Sequence, residues 1–178
     1  MPTVLVTGAN RGIGLEFARQ YAAAGWRVHT TCRDPGAAAA LGAVAGDVRI
    51  HRLEVTSPDQ VRALAAAVAG EPIDLLVNNA GISAQSRTSL GDMDYALWEE
   101  MMRVNVLGPM RVAEALAANV AASRKRVMLF VSSRAGSISD NLSGGRYIYR
   151  SSKAALNMVV KSLAIDLIPK RGICAAVH

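Results

Sequence analysis

The sequence predicts an α/β fold in which helices cover both faces of a parallel sheet. Two observations carry this prediction. Short apolar, β-branched runs alternate with helical patterns along the whole chain, and the first of these runs ends in a glycine-rich turn that opens a helix. Right-handed crossovers then give a doubly wound parallel sheet in three layers, α/β/α. Because no repeat or low-complexity linker divides the chain, we expect one domain over residues 1–178.

The strands and helices can be placed in order along the chain. Period-2 and continuous apolar runs predict strands at 4–7, 27–32, 48–53, 73–78, 127–131 and 172–177. Helical spacing and end signals predict helices at about 15–24, 37–45, 57–70, 94–119 and 147–167. Gly108-Pro109 predicts a kink in the long fourth helix. Residues 82–93 and 132–146 are predicted to be loops.

Composition excludes several other classes of protein. With 178 residues, of which 51% are hydrophobic, the chain can bury a sizeable core, and no apolar run is long enough to span a bilayer. The formal net charge is +6, but the densest basic run, residues 124–126, precedes a strand and is typical of a solvated turn. Cys32 and Cys174 lie in strand-like runs, which favours reduced thiols. We therefore expect a cytoplasmic protein with no metal, nucleic acid or membrane partner.

The turn after the first strand has the spacing of a phosphate-binding loop. It reads Thr7-Gly8-Ala9-Asn10-Arg11-Gly12-Ile13-Gly14. Gly8 would allow the sharp turn, Gly12 would let a phosphate approach, and Gly14 would let the helix pack closely on the strand. Free N–H groups at the positive end of the helix attract an anion. A tight connection without a ligand is the alternative, but the position between the first strand and the first helix favours a dinucleotide.

The end of the second strand indicates which dinucleotide. An acid there would bind the adenosine ribose, whereas a basic residue would favour a 2′-phosphate. This segment reads Thr30-Thr31-Cys32-Arg33, and Arg11 could supply a second cation. The alternative is that both arginines are ordinary surface residues. An acid, Asp34, directly follows Arg33 and could favour NAD(H). The pattern favours NADP(H) over NAD(H).

A second constellation, Tyr149-Arg150-Ser151-Ser152-Lys153, places a tyrosine and a lysine four residues apart on one helix face. A free tyrosine titrates near pH 10, so it exchanges protons poorly at neutrality unless a cation lies nearby. Lys153 could be that cation. Taken alone the pair could equally be an exposed helical pair, because such spacing is common.

These motifs together resemble the short-chain dehydrogenases/reductases. The glycine turn is similar to the family's cofactor turn, and Asn78-Asn79-Ala80-Gly81 to the signature after its fourth strand. Asn105, Ser133, Tyr149 and Lys153 match its catalytic tetrad in order. The strings at 132–138 and 147–158 resemble the branch of the C-factor signalling protein and the sniffer-type carbonyl reductases. The resemblance covers essentially the whole chain and implies a Rossmann-type fold.

The resemblance implies a role for each member of the tetrad. Tyr149 would give a proton to the substrate carbonyl oxygen, and Lys153 would bind the nicotinamide ribose and assist the tyrosine. Ser133 would hydrogen-bond that oxygen, with Ser132 as the alternative. Asn105 would bend the long helix so that its backbone carbonyl holds a water. Tyr147 lies off the face of Lys153, which selects Tyr149.

The resemblance also implies a cofactor site. Asn79, Ala80 and Gly81 would line the adenosine, and Glu54 and Val55 would lie near the adenine, although many relatives have aspartate where this chain has Glu54. The cofactor-binding set is Thr7, Gly8, Asn10, Arg11, Gly12, Ile13, Gly14, Arg33, Glu54, Val55, Asn79, Ala80, Gly81, Tyr149 and Lys153.

Members of the family continue beyond the sixth strand with a Pro-Gly turn, a mobile substrate loop and a seventh strand. Without them the sixth strand would be a bare apolar edge, so we expect either a longer biological chain or a second subunit covering that edge. The helix after Tyr149 is apolar on more than one face, which fits burial under loops or, as the family suggests, a homodimer or homotetramer.

The sequence therefore predicts an NADPH-dependent oxidoreductase that reduces a small ketone or aldehyde to an alcohol. The alternative is a nucleotide-binding signalling or scaffold protein of the C-factor type without significant turnover. The intact tetrad favours the enzyme, and the missing C-terminal part favours the alternative.

Overall fold

The fold is seen in a computed structural model that describes residues 1–83 and 90–178, apart from the side chain of Lys170. Half of the predicted 82–93 loop, residues 84–89, lies outside the described residues. The strands are β1 Thr3–Val6, β2 Arg27–Cys32, β3 Val48–Arg52, β4 Leu75–Asn78, β5 Val127–Val131 and β6 Ile173–Val177. The α-helices are α1 Gly12–Ala23, α2 Ala39–Gly42, α3 Pro58–Ala67, α4 Tyr95–Met102, α5 Gly108–Ala121 and α6 Tyr147–Asp166.

The strands form one parallel sheet in the order β3-β2-β1-β4-β5-β6. The chain runs outward from β1 to β3 and then crosses back to β4 beside β1. The predicted doubly wound parallel fold is confirmed. Because the connections of β1 and β4 leave toward opposite faces, a crevice opens at the carboxyl ends of these two strands, where such sheets bind ligands.

Two hydrophobic cores lie on the two faces of the sheet. Alternate strand residues divide between them: Leu5 and Leu76 face one core, and Val6 and Val77 face the other. Residues of α3, α5 and α6 cover the first face, and residues of α1 and α2 cover the second. Burial on both faces explains why the strands read as continuous apolar runs rather than alternating ones.

The long helix predicted at 94–119 is divided. Between α4 and α5, Arg103–Leu107 forms a π-helical turn. The interruption of the regular helix is this wide turn, which ends directly before Gly108-Pro109. Proline has no N–H, so Pro109 cannot bond the carbonyl four residues earlier, which is that of Asn105. Such single wide turns often occur at functional sites.

The last elements leave apolar surface exposed. In β6, the edge strand, Ile173 and Val177 are 55% and 36% exposed, and in α6 Met158 and Ile165 are 66% and 53% exposed. The expected bare apolar edge is present in the described sheet. No helix in the described ranges is both long and apolar enough to cross a membrane.

Candidate active site

The glycine turn between β1 and α1 is packed too tightly to accept larger side chains. A Cβ on Gly14 would collide with the carbonyl oxygen of Gly8, and one on Gly8 would lie 2.9 Å from the Cα of Ala80. Gly8 also has a φ of +66°, which favours glycine. The absence of side chains at these positions brings the start of α1 against the end of β4.

Thr7 and Asn79 fasten the ends of β1 and β4 to each other. The Thr7 hydroxyl accepts hydrogen bonds from the backbone N–H groups of Asn79 and Ala80, each at 3.0 Å. The Asn79 side-chain amide donates to the carbonyls of Thr7 and Gly8 at 2.9 and 3.0 Å. The Asn79 side chain therefore holds the turn in shape. Gly81 lies at the surface beyond it.

The start of α1 fits a phosphate. Its N-cap residue, Arg11, supplies no side-chain acceptor, and the first turn carries no acid. By contrast, α3 and α4 are capped by the side chains of Ser57 and Asp94. A Cβ on Gly12 would meet no atom within 4 Å, so this side of the turn is open. An uncapped helix start with an open approach is the arrangement that binds the phosphates of a dinucleotide.

The residues predicted to surround this phosphate site lie at the surface. Asn10, Arg11 and Ile13 are exposed on the turn, and Arg33 is exposed directly after β2. The carboxylate of Asp34 accepts a hydrogen bond from the N–H of Gly36 at 3.0 Å. It caps the short 3-10 turn Pro35–Ala37. This acid therefore has a local structural partner.

Glu54 and Val55 follow β3 at the same edge of the sheet. The Glu54 carboxylate accepts from the N–H and the hydroxyl of Thr56, at 3.2 and 3.1 Å. The Val55 side chain is buried in the core and packs against Gly108. An adenine at this point could therefore contact only the backbone of Val55.

Lys153 has a buried ammonium group. The residue is 6% exposed, and Nζ donates a hydrogen bond to the carbonyl of Val131, at the end of β5, at 2.9 Å. Burial lowers the pKa of Lys153 from 10.5 to about 8. Burying a lysine that has a carbonyl partner but no carboxylate partner costs free energy. Lysines with a pKa lowered in this way are common at functional sites.

Tyr149 lies one helical turn before Lys153 on the same face of α6. The Lys153 Nζ is 5.9 Å from the centroid of the Tyr149 ring. The ring is partly buried, whereas Tyr147 is 40% exposed and belongs to another face of the helix. The geometry brings together the tyrosine and the lysine that the sequence pattern had paired.

Ser132 and Ser133 have different partners. The Ser132 hydroxyl donates to the side-chain carbonyl of Asn157 at 2.6 Å. The Ser133 oxygen accepts from the N–H of Ala135 at 3.1 Å, capping the 3-10 turn Arg134–Gly136, and its own proton stays available for donation. Ser133 is therefore better suited to bind a substrate oxygen.

Asn105 connects the wide helical turn to the rest of the site. Its side chain, 1% exposed, makes hydrogen bonds with both backbone groups of Ile82 at 2.8 and 2.9 Å. Its amide also lies 3.2 Å from the hydroxyl of Ser152, which donates to the carbonyl of Tyr149. Asn105 thus braces the segment after β4 against α6 next to Lys153.

Sequence reasoning missed several members of this arrangement. Ser152 and the Val131 carbonyl were not singled out, and neither was Arg146, whose guanidinium lies 5.1 Å from the centroid of the Tyr149 ring. Ser152 could have been found from its position one residue before Lys153. The Val131 carbonyl reaches Lys153 through a contact between distant segments, and the position of Arg146 depends on its left-handed backbone. In the described part of the chain, no group of His, Cys, Asp or Glu residues is arranged to hold a metal.

Comparison with known proteins places this chain in a family. The model of the short chain dehydrogenase family matches residues 2–177. The protein C-signal of Myxococcus xanthus is 42% identical over 118 residues, which cover 66% of this chain and 70% of that protein.

Two solved structures have the same fold. A short-chain dehydrogenase/reductase from Burkholderia multivorans with bound NADP is 38% identical, with a TM-score of 0.85 over 94% of this chain and 74% of that one. The carbonyl reductase Sniffer of D. melanogaster is 29% identical, with a TM-score of 0.90 over 100% of this chain and 80% of that one. The chain therefore belongs to the short chain dehydrogenase family of oxidoreductases, in the branch of C-signal and the Sniffer carbonyl reductases.

Proposed function

We propose that the protein is an NADPH-dependent reductase that converts a ketone or aldehyde to an alcohol, with Tyr149 as general acid. The observation that carries this proposal is the buried Lys153 ammonium, fixed on the Val131 carbonyl 5.9 Å from the Tyr149 ring. A cation held there places positive charge beside the group that would pass its proton to the substrate. Burying a lysine without a carboxylate partner costs free energy, and an ordinary surface pair of tyrosine and lysine would avoid that cost.

Each residue of the site has a defined task in this proposal. Tyr149 donates its hydroxyl proton to the substrate carbonyl oxygen, and Ser133 donates a hydrogen bond to the same oxygen as negative charge develops on it. Lys153 holds positive charge beside the tyrosine and binds the nicotinamide ribose. Asn105 sets the wide helical turn, so that its carbonyl can hold a water that connects Lys153 to solvent.

The cofactor would lie across the crevice between β1 and β4. The uncapped start of α1 would hold the pyrophosphate, with Asn79, Ala80 and Gly81 beside the adenosine and Glu54 and Val55 near the adenine. When bound there, the nicotinamide would supply hydride chemistry. The residues of this chain bind it and control the proton.

NADP(H) is the proposed form of the cofactor. Arg11 is exposed on the glycine turn and Arg33 directly after β2, and the planar guanidinium of each can bind two oxygens of a 2′-phosphate. Asp34, the acid that could have favoured NAD(H), caps its own turn. The NADP bound by the relative from Burkholderia multivorans supports the same choice.

The proposal can be tested in two steps. NADPH should raise the melting temperature by about 5 °C or more at a concentration far above its dissociation constant, and NADH by much less. Tyr149→Phe should then lower the turnover of a reducible aldehyde by at least about 10²-fold while keeping the NADPH-induced shift. Tyr147→Phe is the matched control and should keep normal turnover. Retained activity in Tyr149→Phe would remove that tyrosine from its role.

The similarity to a protein named C-signal supports a second candidate, a nucleotide-binding signalling or scaffold protein without significant turnover. Stabilisation by NADPH together with no turnover across a broad carbonyl screen would favour this candidate. Absence of a shift with either nucleotide would contradict both the cofactor assignment and the enzyme.

A homodimer or homotetramer is the proposed assembly. The exposed Met158 and Ile165 lie on the outer face of α6, which would become buried if the helix paired with a second copy. Light scattering on the eluting protein measures the mass directly. Charged substitutions at both positions should dissociate the assembly, and a monomeric mass for the parent protein would refute it.

A further inference from the structure

The segment that leads into α6 has an unusual backbone. Gly144, Gly145 and Arg146 are all left-handed, with φ values of +62°, +63° and +50°. The first two are glycines, as this conformation favours, but the third carries a side chain. Residues with a Cβ are held in this region only where the surrounding structure imposes it, and such residues concentrate at functional sites.

The conformation of Arg146 directs its charge toward the candidate catalytic residue. Its guanidinium carbon lies 5.1 Å from the centroid of the Tyr149 ring, and the residue is exposed. Among the ion pairs of residues 1–83 and 90–178, none involves Arg146. The cation is therefore available to a ligand.

The neighbouring cations are used differently. Arg150, one turn later, donates to the hydroxyl of Ser143 at 3.0 Å, which fixes it to the preceding loop. Lys153 donates to the Val131 carbonyl. Arg146 is thus a solvent-facing cation at the tyrosine, whereas these two are engaged by the protein.

We propose that Arg146 binds a carboxylate of the substrate, so that the preferred substrates are keto acids or aldehyde acids with a short spacer between the two groups. This inference rests on the proposed function, since it assumes that the reacting carbonyl lies at the Tyr149 hydroxyl. A carboxylate then comes within reach of a guanidinium whose planar fork pairs both of its oxygens. The Arg146 conformation holds that fork beside the reacting centre before the substrate arrives.

The alternative is that Arg146 only stacks on the ring and stabilises the start of the helix. The two roles differ in one measurable respect. Stacking affects acidic and neutral substrates alike, whereas a carboxylate contact affects only the acidic one.

The experiment compares 4-oxobutanoate with its methyl ester, two aldehydes with the same two-carbon spacer that differ in charge. The ratio of their kcat/KM values, acid over ester, is followed by NADPH oxidation. We expect a ratio of about tenfold or more in the parent protein, falling toward one in Arg146→Met and partly restored in Arg146→Lys. Added salt should lower the ratio of the parent protein.

Arg171→Met is the matched control. Arg171 is also an exposed arginine with a left-handed backbone, φ +54°, but it precedes β6 at the opposite end of the sheet. Its substitution removes the same charge from the protein and should leave the ratio unchanged. An equal fall in Arg171→Met and Arg146→Met would overturn the proposal, because it would reflect net charge alone.

Two further outcomes separate this inference from the function on which it rests. Turnover of both aldehydes with a ratio near one in the parent protein would refute the carboxylate site while supporting the reductase. If neither aldehyde is reduced, the broad carbonyl screen decides the reductase, and calorimetric titration of the two aldehydes into the NADP⁺-saturated protein decides the site. Equal affinities there, or an acid affinity that Arg146→Met does not change, would refute it.

Discussion

Lys153 Nζ lies 5.9 Å from the centre of the Tyr149 ring and donates its hydrogen bond to the carbonyl of Val131. The ammonium is therefore fixed by the end of β5. Within residues 1–83 and 90–178 no carboxylate forms an ion pair with it, so no such partner compensates its positive charge there. Burying a charge in this way lowers the free energy of unfolding, and the first prediction follows from this cost.

Lys153→Met should stabilise the protein at about pH 7. Burial lowers the pKa of Lys153 to about 8, and a shift of this size corresponds to about 3 kcal/mol of unfavourable charge burial. Loss of the hydrogen bond to Val131 offsets about 1 kcal/mol of this amount. The expected net gain in the free energy of unfolding is therefore about 2 kcal/mol. Urea denaturation measures it.

The same variant should show a defined pH dependence. Between the folded pKa of about 8 and the unfolded value of 10.5, the unfolded state of the parent protein holds a proton that the native state has released. The stability of the parent protein therefore rises with pH through this window, and the advantage of Lys153→Met should shrink toward about pH 10. A variant less stable than the parent at neutral pH would contradict the prediction.

Ser133→Ala and Ser132→Ala should separate catalysis from packing. Removing the Ser133 hydroxyl should lower kcat by about 10²-fold or more, as for a lost donor to a developing oxyanion, and loss of its cap on the turn Arg134–Gly136 should cost about 1 kcal/mol of stability. Removing the Ser132 hydroxyl breaks its bond to Asn157 and should cost about 1 kcal/mol of stability with a smaller effect on kcat. Steady-state kinetics and urea denaturation on both variants test this. The reverse pattern would assign the substrate contact to Ser132.

Gly14→Ala should disrupt the cofactor turn. The added Cβ would collide with the Gly8 carbonyl and lie 2.5 Å from the Asn79 amide, so the turn must open. We expect a loss of several kcal/mol of stability, or a folded protein without NADPH-induced stabilisation. Gly70→Ala is the control, because its Cβ meets no atom within 4 Å and only its φ of +76° is unfavourable, at about 1 kcal/mol. Equal effects of the two substitutions would contradict the steric argument.

A second cluster of titratable groups is centred on His29 of β2 and His51 of β3. His29 Nδ1 is 2.9 Å from His51 Nε2, and His29 Nε2 is 3.1 Å from the Glu71 carboxylate. Arg27, Arg49 and Asp47 surround them through the ion pairs Arg27–Asp47, Arg27–Glu71, Arg49–Asp47 and Arg49–Glu71. A bond between two ring nitrogens needs one donor and one acceptor, so protonation of both rings breaks it.

Acidification should therefore weaken this edge of the sheet. Burial lowers the pKa of both His29 and His51, more than the Glu71 carboxylate raises it. As the pH falls below about 6.5, the unfolded state takes up protons that the native state refuses, so stability falls by at most about 1.4 kcal/mol per pH unit for each proton. Urea denaturation from about pH 7 to about pH 5 measures the slope.

His51→Gln should flatten this slope, because it removes one of the two titrating rings. The control is His178→Gln at the third histidine of the chain, which is exposed. The prediction is contradicted if the stability of the parent protein does not change over this range. Equal flattening of the slope by His178→Gln would also show that the pH dependence does not come from the His29–His51 pair.

The agreement between sequence and structure is greatest where a feature depends on neighbouring residues. β2 at Arg27–Cys32 and β5 at Val127–Val131 have the predicted bounds. The start of α6 at Tyr147 agrees as well. The second helix was predicted too long: a 3-10 turn at Pro35–Ala37 and a single turn at Ala39–Gly42 replace it, since an alanine run carries no burial pattern of its own. The kink was predicted at a proline, but the wide turn forms before it, where Asn105 can bond to Ile82.

The sequence by itself determined the order of strands and helices, the glycine turn and the helical pairing of Tyr149 with Lys153. Strand, helix and turn periods are local, so nearby residues suffice to predict them. The tertiary structure decided the carbonyl that holds Lys153, the division of roles between Ser132 and Ser133, the His29–His51 pair and the left-handed Arg146. These features depend on the register of adjacent strands and on the approach of α6 to β5, which bring together residues far apart in the chain.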